Sequence, residues 1–78
     1  MLIKIKFLGI LGTIFGNDPI EVDINPDYEA LHAKIHEIIA DKYENPYVVL
    51  NNGLPLLKTA TIREGDTFSI FMPISGGW

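Results

Sequence analysis

The chain has 78 residues, 47% of them hydrophobic and 21% charged, which suits one domain around one core and is too apolar for disorder. It contains no cysteine, so disulfides, thiolate metal sites, cysteine-held iron–sulfur clusters and a cysteine nucleophile are excluded. A net charge of −4 with no basic stripe argues against nucleic acid as a partner.

Leu2 to Phe7 alternates with period two, placing Ile3, Ile5 and Phe7 on one face and Lys4 and Lys6 on the other. This predicts a half-buried strand. The apolar run Gly9 to Phe15 after two lysines loosely imitates a signal peptide, but no A-x-A-like cleavage site follows it. It is also too short to span a bilayer as a helix. A cytoplasmic protein with no membrane partner is the expectation. Gly16-Asn17-Asp18-Pro19 is dense turn chemistry, and Ile20 to Ile24 alternates again, with Glu21 and Asp23 opposite the aliphatics. The two strands are expected to form an antiparallel hairpin, with Gly9 to Phe15 as its connection.

Asn25-Pro26 reads as a helix start, with Asn25 as cap and Pro26 at the first helical position. Tyr28, Leu31, Ile35, Ile38 and Ile39 then recur at helical spacing, so a helix is predicted over about residues 27–42, ended by Asn45-Pro46. Tyr47 to Leu50 is rich in β-formers, and Asn52-Gly53 predicts a tight type I′ turn into a brief return strand, Leu54 to Leu57. Residues 59–63 are an irregular connection. Glu64-Gly65-Asp66 turns into a last strand in which Phe68, Ile70 and Met72 face one way and Ser69, Phe71 and Pro73 the other. The expected core is Ile3, Ile5, Phe7, Val22, Leu31, Ile35, Ile38, Phe68 and Ile70. The resulting class is α+β, a mixed four- to five-stranded sheet packed on one helix.

Few residues point to chemistry. Glu29, His32 and His36 share one helix face, yet structural zinc needs four ligands and no fourth is evident, so a solvated face is the expected reading. The hydroxyls of Ser69 and Ser75 have no neighbouring base to activate them, and no glycine-rich phosphate loop opens the helix. Phe71 differs, because alternation sends it to the face away from the helix, where Pro73 and Ile74 extend an apolar patch. The chain then ends Ser75-Gly76-Gly77-Trp78. Two glycines make a thin tail able to enter a narrow channel in another protein.

The stretches Val49 to Gly53, Ile62 to Thr67 and Phe71 to Gly77 resemble the small sulfur-carrier proteins MoaD and ThiS, in family order and spacing. The length and the first hairpin are nearer MoaD. The resemblance implies a ubiquitin-like β-grasp, with residues 1–75 as one domain and 76–78 as a flexible tail. It also implies a function as a carrier rather than an enzyme. An ATP-dependent adenylating enzyme activates the terminal glycine, here Gly77, and sulfur replaces AMP to give a thiocarboxylate. Gly76 gives the tail its reach, and Phe71, Met72, Pro73 and Ile74 form the docking patch. No cofactor is bound, and ATP is used by the partner. In the MoaD branch the tail enters the large subunit of molybdopterin synthase, for molybdenum cofactor biosynthesis.

This chain departs from that pattern in three places. Met72-Pro73 stands where two prolines are common, Gly9 to Phe15 is unusually apolar, and Trp78 follows Gly77 and masks it. A tail-processing peptidase is therefore an expected further partner. Two other readings stay open: a ubiquitin-like modifier joined through Gly77 to lysines, and a non-covalent interaction domain that keeps Trp78.

Overall fold

A computed structural model describes residues 1–73. The first strand, β1 (Leu2–Phe7), pairs antiparallel with β2 (Ile20–Asp23), with Ile3 opposite Val22 and Ile5 opposite Ile20. The alternation holds, since Ile3, Ile5 and Phe7 are buried while Leu2, Lys4 and Lys6 are exposed. Their connection is more than a loop. Ile10–Phe15 forms a short helix, α1, so the described residues hold two helices where one was expected.

Tertiary contact explains α1, because six residues cannot sustain an isolated helix. Leu11 is fully buried in the core, and the Phe15 ring lies 4.9 Å from that of Phe7. Gly12 permits the close approach: a Cβ there would collide with the Asn17 side chain and stand 3.0 Å from the Phe7 carbonyl oxygen.

The main helix, α2 (Tyr28–Ile39), is shorter than predicted at its C-terminal end. Its cap is Asp27 and not Asn25: the Asp27 carboxylate accepts from the Ala30 N–H at 2.7 Å. The backbone of Asp27 is extended, at φ −140 and ψ 156, so Pro26 lies outside the helix instead of opening it. After Ile39 the chain turns, and Tyr43 folds back into the core with its hydroxyl donating to the Pro46 carbonyl at 2.6 Å.

Beyond this turn, β3 (Val48–Asn51) meets β4 (Leu54–Pro55) through Asn52 and Gly53, both at positive φ (52 and 86), as the expected type I′ turn requires. The last strand, β5 (Thr67–Phe71), lies between β1, to which it is parallel, and β3, to which it is antiparallel. The sheet order is β2-β1-β5-β3-β4, a mixed five-stranded sheet. This is the ubiquitin-like β-grasp arrangement.

The core lies between this sheet and α2. Ile3, Ile5, Phe7, Leu31, Ile35, Phe68 and Ile70 are buried as expected. Val22 and Ile38 are only partly buried, Val22 because it sits on an edge strand and Ile38 because it lies at the rim of the helix stripe. Leu11, Ile24, Ile39, Tyr43, Val49 and Ile62 complete the core. Among the described residues, no helix is long and apolar enough to cross a membrane.

Candidate docking site at the end of β5

Strand β5 decides where the chain's last residues begin. Phe68 and Ile70 point into the core, so Thr67, Ser69 and Phe71 must take the opposite face. Phe71 pairs across the sheet with Val48, and both are half-buried, which places an aromatic and an aliphatic side by side on the outer face. Parity therefore gives Phe71 the orientation that the alternation predicted. Met72 packs partly against the core, and Pro73 is half-buried where β5 has ended.

Two clefts flank this point. One, of about 330 Å³, is lined by Leu8, Gly9, Ile10, Phe71 and Met72. The other, of about 340 Å³, is lined by Tyr43, Asn45, Pro46, Met72 and Pro73. Met72 forms the wall between them. The first cleft owes its apolar rim to α1: Leu8 donates its N–H to the Ile70 carbonyl at 2.9 Å, which continues the β1–β5 ladder, and Gly9 at φ 59 turns the chain into the helix. Ile10, the first residue of that helix, is left 53% exposed, a large aliphatic open to water beside Phe71. The second cleft is shaped by the Tyr43–Pro46 hydrogen bond.

Of the predicted site, the structure brings Phe71, Met72 and Pro73 together at the end of β5. Ile74, Gly76, Gly77 and Trp78 lie outside the described residues. Sequence reasoning missed Leu8, Gly9 and Ile10 on one side of Met72 and Tyr43, Asn45 and Pro46 on the other. A signal existed for Gly9 and Ile10, since the run Gly9 to Phe15 is too apolar for an ordinary hairpin connection.

His32 serves packing, whereas His36 is exposed. The His32 ring lies between those of Tyr28 and Tyr47, at centroid distances of 4.4 and 5.8 Å, and its Nδ1 is 3.1 Å from the Tyr47 hydroxyl. Burial pushes the His32 pKa below its ordinary 6.5. Among the described residues, no group of three or more histidines and carboxylates is placed to hold a metal ion.

No protein-family model matches the sequence, and no curated protein is detectably similar to it. Solved structures are. The putative molybdopterin converting factor subunit 1 from Pyrococcus furiosus superposes with a TM-score of 0.72 at 18% identity, over 94% of this chain and 98% of that one. Small archaeal modifier protein 1 from Haloferax volcanii gives 0.64 at 20% identity, over 94% and 98% of the two chains. The HVO 2177 protein from Haloferax volcanii gives 0.67 at 23% identity, over 99% of this chain and 87% of that one. At such identities the likeness is one of fold. The chain has the ubiquitin-like β-grasp fold.

Proposed function

We propose that this protein is a cytoplasmic β-grasp carrier that works through the carboxylate of Gly77, exposed when a peptidase removes Trp78. A partner enzyme adenylates that carboxylate with ATP, and sulfur then displaces AMP to leave a thiocarboxylate. Phe71, Met72, Pro73 and Ile74 dock the domain on its partners, while Gly76 and Gly77 supply a tail slim enough for a narrow channel. Neither a nucleic acid nor a membrane takes part. The observation that carries this reading is the whole-chain likeness to the protein titled molybdopterin converting factor subunit 1, in a chain with Gly-Gly beyond its last strand. By the same likeness, the large subunit of a molybdopterin synthase is the proposed sulfur acceptor. A second reading is supported by the likeness to the protein titled small archaeal modifier protein 1: conjugation of Gly77 to lysines of target proteins.

Three forms of the chain test the proposal against a cognate adenylating enzyme and ATP: full-length, ending at Gly77, and ending at Gly77 with Gly77→Ala. With Trp78 present, the carboxylate is displaced by one residue, roughly 3.3–3.6 Å of extended chain. A 1 Å misplacement can cost about a hundredfold in rate. Only the form ending at Gly77 is expected to release AMP and, with a sulfur donor, to gain the mass of a thiocarboxylate. Equal reaction of the full-length chain would remove the masking role of Trp78. Conjugates on other proteins in cells, without transfer to a molybdopterin synthase large subunit, would favour the modifier.

A further inference from the structure

The face of the sheet turned away from α2 holds two adjacent rows. Leu8, Phe71 and Val48 form one, and Lys6, Ser69 and Leu50 form the next. Phe71, Val48, Ser69 and Leu50 are half-buried, whereas Lys6 is exposed. The charged side chains within the strands are Lys4, Lys6, Glu21 and Asp23, and alternation puts all of them on this face. Asp23 is paired with the Met1 ammonium at 2.6 Å, and Glu21 stands directly opposite Lys4. The same register puts Pro19 opposite Lys6, just before the start of β2. Among the described residues, no carboxylate lies within ion-pair distance of Lys6. The face is left with one positive charge unanswered. We propose that Lys6 is a specificity contact of the docking surface and takes a carboxylate of the adenylating partner, at the edge of the apolar patch around Phe71.

Distance, desolvation and charge support that partner. Ser69 is the register partner of Lys6, and Phe71 stands two residues further along β5. The positions of Lys6 and Phe71 are therefore about 6.6 Å apart along the strands and about 4.8 Å across them. A stable protein interface covers about 800 Å² on each side, a disc roughly 30 Å wide. A partner centred on Phe71 covers Lys6 as well. An ammonium covered without an acceptor loses hydration that apolar contact does not return, so the surface that fits presents a carboxylate there. The Ser69 hydroxyl, beside Lys6, can donate to the same carboxylate. A second copy of the chain is the poorer occupant, because a net charge of −4 sets two copies against each other.

This assignment rests on the carrier reading above, which supplies the partner, and adds the charge that the partner must present. The contact selects as well as holds. A surface equally apolar but carrying a lysine or arginine at that place meets a like charge and is rejected. Lys4, one row further from Phe71 and already facing Glu21, has no such part.

Calorimetric titration of the full-length chain into a cognate adenylating enzyme without ATP reads the contact, at low and at high salt. Lys6→Gln is expected to weaken binding about tenfold at low salt and Lys6→Glu further still, while Lys4→Gln stays within about twofold of the native chain. Binding of the native chain is expected to fall more steeply with salt than that of Lys6→Gln, because screening acts on the charge pair. Thermal melting of each variant confirms the fold, which exposed positions tolerate. Equal affinities of the native, Lys6→Gln and Lys6→Glu chains overturn the proposal. Equal losses for Lys4→Gln and Lys6→Gln also overturn it, since the effect is then one of net charge. A native chain that does not bind at all overturns it too, as does a dimer of the free chain that Lys6→Glu dissociates, because the face then belongs to a second copy. AMP release by the form ending at Gly77 decides the carrier reading separately: release with equal affinities sinks the Lys6 contact alone, and a Lys6-dependent affinity without release sinks the carrier alone.

Discussion

The Nδ1 of His32 on α2 stands 3.1 Å from the Tyr47 hydroxyl, joining the helix to the chain that enters β3. Burial holds the His32 pKa below 6.5, so the unfolded chain takes up a proton there before the folded one does. The stability this site contributes is whole above pH 6.5 and is lost as the pH falls through the lowered folded pKa. Urea midpoints at pH 7.5, 6.0 and 5.0 should therefore fall more steeply for the native chain than for His32→Gln. Parallel slopes would show that His32 does not sense its burial.

In the core, Leu31 and Ile35 are fully buried on the face of α2 that meets the sheet. Leu31→Ala or Ile35→Ala is expected to cost on the order of 2–5 kcal/mol, as deletion of buried aliphatic volume does. Chemical denaturation measures this, and a loss under about 1 kcal/mol for both would contradict the packing, since cavity costs of that kind are larger.

Gly12 allows α1 to lie against the end of β1. Gly12→Ala places a methyl against the Asn17 side chain and 3.0 Å from the Phe7 carbonyl oxygen. Overpacking of this kind costs typically about 1–3 kcal/mol. Asn17→Ala in the same chain removes the side-chain clash but leaves the backbone one, so partial rescue is the expected result by thermal melting. Full rescue would mean that the Phe7 carbonyl yields freely.

Phe71 lies on the outer face beside Val48, so its loss should spare the fold. Phe71→Ala in a chain ending at Gly77 is expected to weaken binding to the proposed adenylating partner by more than about 1 kcal/mol, the size of an interface anchor, with little change in stability. Calorimetric titration beside a denaturation curve separates the two effects. An unfolded variant would instead make Phe71 a core residue.

Strand alternation and the helical stripe were legible in the sequence, because each depends on local periodicity. The buried Ile3, Ile5 and Phe7, the α2 face of Leu31 and Ile35 and the outward Phe71 follow from a period of 2 or 3.6, and the positive-φ turn at Asn52-Gly53 follows from the chemistry of that dipeptide. Tertiary structure decided what has no such period. Helix α1 exists because Leu11 and Phe15 have the core to pack on, and nothing local in six residues foretells that. The cap fell to Asp27 because its extended backbone starts the helix at Tyr28, two residues later than Pro26 at the first position would. Val22 lost its core place to the edge position of β2, while Tyr43, Val49 and Ile62 gained theirs from contacts distant in sequence. The two clefts likewise arise where residues from three separate stretches of chain meet around Met72, and such a meeting is a property of the folded molecule alone.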